Sequence, residues 1–331
     1  MRVSKFEMKI IRTIMQFIPK KTNELTESEK QELLSNFNNI FKRDRRMDEF
    51  INQYVSNILG YSFHIIVKNQ DRIIGHAAYV PAIYLINGVE KLFVDGIDGY
   101  IIKEFRDGTT LLEMIRANRE NLIKNGVSLE LGFPNTLAMK VYSKGKIYTK
   151  VGELNTYFLP YRIGGILKGL KFINIISILF SWLFVFYAFL FSSKKPVPYK
   201  IEKDADSYNI TRYKSFDGNY SRIQINDFEF MFKIKVHEGI RTLFLIDVSE
   251  KSARNFNKAI KYILQNFRNE FDLLLYIGKL PFKFHGMLKM PRRFSPKEFN
   301  FAIKVLDKSL DKEILLNIEN WDLNLSNFDL I

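Results

Sequence analysis

The chain of 331 residues contains no cysteine. That absence excludes disulfides, a thiolate nucleophile, Cys-ligated zinc and iron–sulfur clusters. Histidine is nearly as scarce: His64, His76, His237 and His285 are scattered without metal-ligand spacing, so no metal site is expected. Glycine (17) and proline (9) are few and 47% of residues are hydrophobic. A disordered, collagen-like or low-complexity chain is thereby excluded. Missing too are a Walker A loop, a G-x-S-x-G elbow, a sugar-nucleotide fingerprint, a helix-turn-helix and an RNP-like motif.

Positive charge is in excess, with 50 Lys and Arg against 36 Asp and Glu and a formal net charge of +14. Such a surplus favours polyanionic partners, among them phosphate-bearing ligands and an anionic membrane surface. The basic residues form no arginine-rich tract, and no nucleic-acid partner is expected. The first 21 residues hold six of the basic residues and one acidic one, with Val3, Phe6, Ile10, Ile14 and Phe17 at helical spacing. This predicts a basic amphipathic helix over 1–24, either lying in a membrane interface or packed on the protein's own core.

Thr26 to Glu29 (TESE) has the form of a capping box, opening helical sequence towards Leu59 through the basic run Lys42-Arg43-Asp44-Arg45-Arg46. Strand patterns follow at Phe63–Val67, Ile73–Ile86 and Val89–Ile102, with Asn87-Gly88 as a hairpin signal and Gly96 and Gly99 marking a bulge. Thr109–Lys124 reads as a helix, Val127–Phe133 as a strand, 135–144 as a short helix, and 148–160 as another strand.

Phe172 to Phe191 runs for 20 residues without a charge, between Lys168 and Lys171 before it and Lys194 and Lys195 after it. The stretch is long enough to span a bilayer, yet both flanks are basic, so no orientation is chosen. A helix dipping into one leaflet or lying at the interface is favoured, with a helix buried between two lobes as the soluble reading. Beyond Pro196-Val197-Pro198, a hairpin (Phe228–Val236, Ile240–Val248), a helix (Ser249–Phe267, capped by Ser249) and a strand (Phe271–Ile277) loosely repeat the first rhythm. A helix over Phe299–Leu310 and a strand over Leu315–Ile318 complete the reading. The divisions are 1–24 amphipathic helix, 25–163 first lobe, 164–198 apolar helix and linker, and 199–331 second lobe.

Two stretches carry a family resemblance. Phe105-Arg106-Asp107-Gly108-Thr109-Thr110-Leu111 lies between the third strand and the long helix, and Gly132-Phe133-Pro134-Asn135 is followed by Ala138 and Val141-Tyr142-Ser143-Lys144-Gly145. The order of elements and these residues resemble the GCN5-related N-acetyltransferase (GNAT) superfamily, particularly two-lobed members from bacterial surface-polysaccharide gene sets. The resemblance covers about residues 30–163 in detail and the C-terminal lobe in outline.

It implies an α/β (α+β) fold of tandem GNAT-like lobes, with mixed, mostly antiparallel sheets flanked by helices. It implies acetyl-CoA as donor, its pyrophosphate held by Arg106, Gly108, Thr109 and Thr110 at a helix N-terminus. Ile101, Ile102 and Asn135 would line the pantetheine path, and Tyr142 would protonate the departing thiolate. The loop departs from the family pattern, because Gly108 comes one residue early and threonines stand in later glycine positions. For the general base the strand offers Asp98, with Asp95 and His76 as alternatives; strand alternation places Asp95 and Asp98 on opposite faces. The second lobe, lacking a phosphate loop, would be a degenerate copy shaping the acceptor cleft.

The expected activity is transfer of an acyl group to an amine of an amino sugar or surface-glycan precursor, by direct attack in a ternary complex. The expected location is cytoplasmic, at the inner face of a bacterial membrane. Two other readings stand beside it: a non-catalytic membrane-associated scaffold, and an aminoacyl-tRNA-dependent transferase.

Overall fold

The structure, a computed structural model, describes residues 15–106, 109–167, 172–192, 196–210, 220–291, 293 and 298–327. The chain begins with β1 (Met15–Lys21), α1 (Glu27–Phe41), α2 (Met47–Val55), β2 (Phe63–Asn69), β3 (Arg72–Ile86) and β4 (Val89–Ile101). Then come α3 (Thr109–Lys124), β5 (Leu129–Gly132), α4 (Thr136–Lys144), β6 (Thr149–Glu153) and β7 (Asn155–Pro160). The apolar α5 (Ile173–Phe191) leads to β8 (Ile201–Lys203), β9 (Ser221–Ile225), β10 (Phe228–His237) and β11 (Ile240–Val248). Next are α6 (Ala253–Asn266), β12 (Leu273–Gly278), β13 (Leu288–Lys289) and β14 (Asn300–Val305), with short helical turns at 312–316, 318–320 and 325–327.

These elements form two mostly antiparallel sheets flanked by helices. One has the order β1-β2-β3-β4-β5-β14-β6, with β8 added along β3; the other runs β13-β7-β12-β11-β10-β9. Two compact units result. One gathers the described parts of Met1–Val151, Ile201–Gly218 and Asn300–Leu316; the other gathers those of Gly152–Lys200, Asn219–Phe299 and Asn317–Ile331. The units interleave along the chain, whereas the sequence reading sets two consecutive lobes. The strand pattern at 148–160 is two strands, β6 and β7, in different sheets. Alternation continues through both and carries no mark of which sheet each joins.

In the first unit Phe63-His64-Ile65-Ile66-Val67 is buried throughout, and the two-residue period divides it between two cores. Ile65 and Val67 join Met114 and Leu122 of α3; Ile66 joins Leu33, Phe37, Phe50 and Tyr54 of α1 and α2. The capping box is present: Thr26 Oγ1 accepts from the Glu29 amide, and the Glu29 carboxylate accepts from the Thr26 amide. The turn Asn87-Gly88 takes the left-handed conformation at both residues (φ 49° and 81°), as a tight hairpin requires.

Several expectations are corrected. Residues 15–21 are a strand, paired antiparallel to β2 with Pro19 opposite Ile65. Pro19 is tolerated because β1 is the sheet edge, where a missing amide costs no ladder bond; residues 1–14 lie outside the described part. The helix expected to run to Leu59 breaks at Lys42 in the left-handed region (φ 54°). Arg45 turns inward over the Phe37 ring instead of lining a solvated face. Residues 300–305 are the strand β14, inserted beside β5 with Ala302 opposite Gly132. Residues 312–316 are helical where a strand was expected, and α6 is capped by Ser252, not Ser249.

Candidate active site

In the first unit β4 and β5 are parallel neighbours, joined by α3 as the crossover. Their pairing covers Phe93 to Asp95 against Leu129 to Leu131 and stops there. β4 continues to Ile101, while β5 ends at Gly132 and turns through Phe133-Pro134 into α4. The strands part beyond this pairing, and the gap is a cavity of about 140 Å³. Gly96, Asp98, Gly132, Pro134, Tyr142 and Tyr148 are among its walls.

A bulge shapes one wall. Ile97 stands opposite Ala78 and Tyr100 opposite His76, so Asp98 and Gly99 together face Ala77, with Asp98 at φ 52°. The extra residue breaks the alternation on which an opposite-face placement of Asp95 and Asp98 rests. The Asp98 carboxylate accepts from the Tyr54 hydroxyl at 2.8 Å and from Gln53 Nε2 at 2.9 Å, with Arg45 at 3.6 Å. It is therefore an anchored anion, tied to α2.

His76 does not reach the cavity. It is 1% exposed, its ring donates to the Asp98 backbone carbonyl, and its Nε2 lies 2.9 Å from His64 Nδ1. His64 Nε2 in turn meets the Thr22 hydroxyl at 2.9 Å. Burial favours the neutral form of both rings, and with His76 donating to Asp98 the neutral pair has His64 Nδ1 donating to His76 Nε2. Burial lowers His76 to about 3; burial, then His76, lower His64 well below the ordinary range. A depressed histidine pKa stabilises the fold above about pH 6.5, and that stability is lost as pH falls. Between pH 6.5 and about pH 4 we expect the unfolding free energy to drop by about 3 kcal/mol from His76 alone. Denaturant titrations at stepped pH, with the His64→Gln/His76→Gln pair as a flat control, check this.

The opposite wall carries tyrosines. Tyr142 on α4 and Tyr148 after it have ring centroids 5.2 Å apart. Glu130 on β5 is 0% exposed, and Arg119 of α3 donates to it from Nε at 2.9 Å and to the Ile147 carbonyl at 2.7 Å. Burial raises the Glu130 carboxyl, with Arg119 opposing. Burial and then Glu130 raise the Tyr142 hydroxyl, which keeps its proton at neutral pH. Tyr148 is raised in the same way. Sequence reasoning missed Glu130, Arg119 and Tyr148. Their one signal is a lone acid inside the apolar strand Leu129–Leu131, which demands a buried cation.

Of the remaining expected residues that the structure describes, all but Asn135 lie near the end of β4 and the start of α3. Arg106 is exposed, and its Nε donates to the Ile101 carbonyl at 2.7 Å, closing the end of β4. Ile101 and Ile102 have their side chains in the core, and the Ile102 amide is committed to the Ile74 carbonyl. Thr109 is exposed in the first turn of α3, whereas Thr110 is 1% exposed, so its side chain is withdrawn from an outside ligand. Gly108 lies outside the described residues. Asn135 caps α4, its Oδ1 accepting from the Ala138 amide at 2.9 Å.

The second unit repeats the arrangement, with β11 and β12 parallel from Thr242–Leu245 against Leu273–Tyr276 and α6 as crossover. There the gap is filled by the chain itself. Asn324 bridges to Gly278 and donates to Asp247 at 2.6 Å, and the Lys279 amide donates to the Leu323 carbonyl at 2.7 Å. A Cβ on Gly278 would stand 2.7 Å from that carbonyl, so only glycine admits the tail this closely. Trp321 is fully buried beneath it.

The fold matches solved structures. A GCN5-related N-acetyltransferase from Anabaena variabilis aligns at TM-score 0.58 and 12% identity, covering 88% of this chain and 73% of that one. One from Kribbella flavida aligns at TM-score 0.59 and 11% identity, over 89% and 72%. Eis1 from Mycobacterium abscessus aligns at 0.52 and 8%, over 89% and 74%. No family model and no curated protein matches the sequence. At these identities the likeness is one of fold.

Proposed function

We propose that the protein is an acyl-CoA-dependent N-acyltransferase that uses acetyl-CoA. The observation that carries this reading is the opening between β4 and β5 with Tyr142 on its wall. A thioester chain entering the gap would find backbone groups to pair with, and its carbonyl would lie near a hydroxyl that burial keeps protonated. The acceptor nitrogen attacks the thioester carbon, the carbon–sulfur bond breaks, and the Tyr142 hydroxyl gives its proton to the leaving sulfur. Asp98, whose carboxylate is held by Tyr54 and Gln53 of α2, is the residue we assign to take the proton of an ammonium acceptor through solvent. With no cysteine, the acyl group passes directly, without an acyl-enzyme on sulfur.

In this reading Arg106, Gly108 and Thr109 meet the pyrophosphate at the start of α3, where helix amides favour anions. Thr110 contributes its backbone alone. Asn135 and the end of β4 at Ile101–Ile102 flank the pantetheine. The acceptor we assign is the amine of an amino sugar in a surface-glycan precursor, at the inner face of a bacterial membrane; the apolar α5 and the basic charge favour a lipid-linked one.

Calorimetric titration with acetyl-CoA tests the donor. We expect micromolar binding, weakened about tenfold in Arg106→Ala through the loss of one charge-assisted phosphate contact. Absence of binding to any acyl-CoA at millimolar concentration would leave a scaffold on this fold; activity dependent on aminoacyl-tRNA would replace the donor.

A further inference from the structure

Helix α5 is apolar all round, yet only one stripe of it is covered. Ser177, Ser181, Val185 and Ala188 are buried against the second unit, where Asn257 Nδ2 donates to the Val185 carbonyl at 3.1 Å and Ser177 Oγ to the Tyr161 carbonyl at 3.0 Å. Away from that stripe Ile175, Leu179, Leu183, Phe186 and Phe189 are 58–75% exposed. Scattered exposed leucines need no account, whereas a continuous apolar face along a 19-residue helix marks a contact surface.

The helix does not span a bilayer in this fold. Before it, the Arg162 amide donates to the Asp272 carbonyl at the start of β12; after it, the Val197 amide donates to the Pro281 carbonyl just past the end of β12. The helix and a central strand of the sheet thus run between the same two anchors. A spanning helix would draw that strand, with the Arg241–Asp272 and Lys279–Glu319 ion pairs at its ends, into hydrocarbon. An in-plane helix leaves the sheet in water and immerses only the open face.

Charge beside the helix selects the kind of surface. A cleft of about 440 Å³ opens next to Ile178 and Trp182, and its rim carries Arg162 and Arg268. Both arginines line this one cleft, Arg162 donating from Nη2 to Asn269 Oδ1 at 2.6 Å. In the sequence Lys168, Lys171, Lys194 and Lys195 bracket the same helix. Cations with a tryptophan at the edge of an apolar face suit a phospholipid interface; a second protein copy would leave these charges facing their own kind.

We propose that α5 lies in the plane of an anionic phospholipid bilayer, its open face among the acyl chains, with Arg162 and Arg268 holding a lipid phosphate beside Trp182. This deepens the membrane location assigned above and stands apart from the acyl-transfer chemistry.

The test is flotation of the full chain with phosphatidylcholine vesicles, with and without phosphatidylglycerol, together with tryptophan emission. Trp321 is already fully buried, so a blue shift on binding reports Trp182. The wild type should float with the anionic vesicles and shift to the blue. Leu179→Asp/Phe186→Asp, both at exposed positions, should lose about tenfold or more in partition with an unchanged circular dichroism spectrum. Arg162→Gln and Arg268→Gln should each lose about fivefold on anionic vesicles and nothing on neutral ones. Failure of the wild type to float overturns the proposal. So does a dimer in sedimentation that Leu179→Asp/Phe186→Asp dissociates while no vesicle is bound. Acetyl-CoA titration of the same variants stays at the wild-type value, which separates failure here from failure of the transferase reading.

Discussion

Tyr142→Phe should lower kcat by about 100-fold or more while leaving the KM for acetyl-CoA within about twofold. The substitution removes one oxygen and keeps the ring that packs on Tyr148, so the cavity wall stands. In the proposed mechanism, what is lost is the proton donor for a thiolate that forms only as the carbon–sulfur bond breaks. Such an interaction belongs to the transition state and appears in kcat. The hydroxyl, raised by burial and by Glu130, stays protonated through the neutral range. No alkaline loss of activity from this residue is therefore expected near pH 8, and a pH profile of wild type against variant reads that directly. A loss confined to KM would assign Tyr142 to binding instead.

Lys251→Ala should destabilise the second unit by about 3–5 kcal/mol, the usual result of stranding a buried charge. Lys251 lies between Asp247 and Asp322, with its Nζ 2.9 Å from an oxygen of each. Burial lowers its pKa, but the two carboxylates outweigh that and hold the ammonium above its ordinary range. Removing it leaves two acids, each 12% exposed, facing each other across the seam where the tail 321–327 enters. Thermal unfolding should fall by roughly 10 °C for a unit of this size. Lys251→Met combined with Asp247→Asn and Asp322→Asn should recover most of the loss, since matched neutral groups carry no stranded charge. Equal loss in the triple variant would trace the effect to packing.

The same triad sits where the described residues of the second unit close the gap between β11 and β12. The parted ends of β11 and β12 hold Asn324 and Leu323, which bond to Gly278, Asp247 and the Lys279 amide there. Only non-local packing could reveal this, because Lys251 and Asp322 stand 71 positions apart in the chain.

Local chemistry was legible where it is self-contained. TESE caps α1, Asn87-Gly88 turns the hairpin, and the periodicity of 109–144 sets α3, β5 and α4, which together place Tyr142 beside the opening. Each of these depends on residues a few positions apart, whose φ/ψ preferences and caps act over one or two turns. What tertiary structure alone decided lies in residues far apart in sequence. Met15–Lys21 has helical spacing yet becomes a strand because β2 presents an unpaired edge, and Asn300–Val305 becomes a strand because β5 and β6 leave room for one. Short apolar runs carry both periods, and the partner's hydrogen bonds choose between them. At the bulge Asp98, the carboxylate offered as general base, is bonded to Tyr54 and Gln53, and Glu130 found Arg119 across the α3 packing. A carboxylate's role depends on what desolvates and pairs it, and burial and charge partners are properties of the folded chain that no spacing encodes.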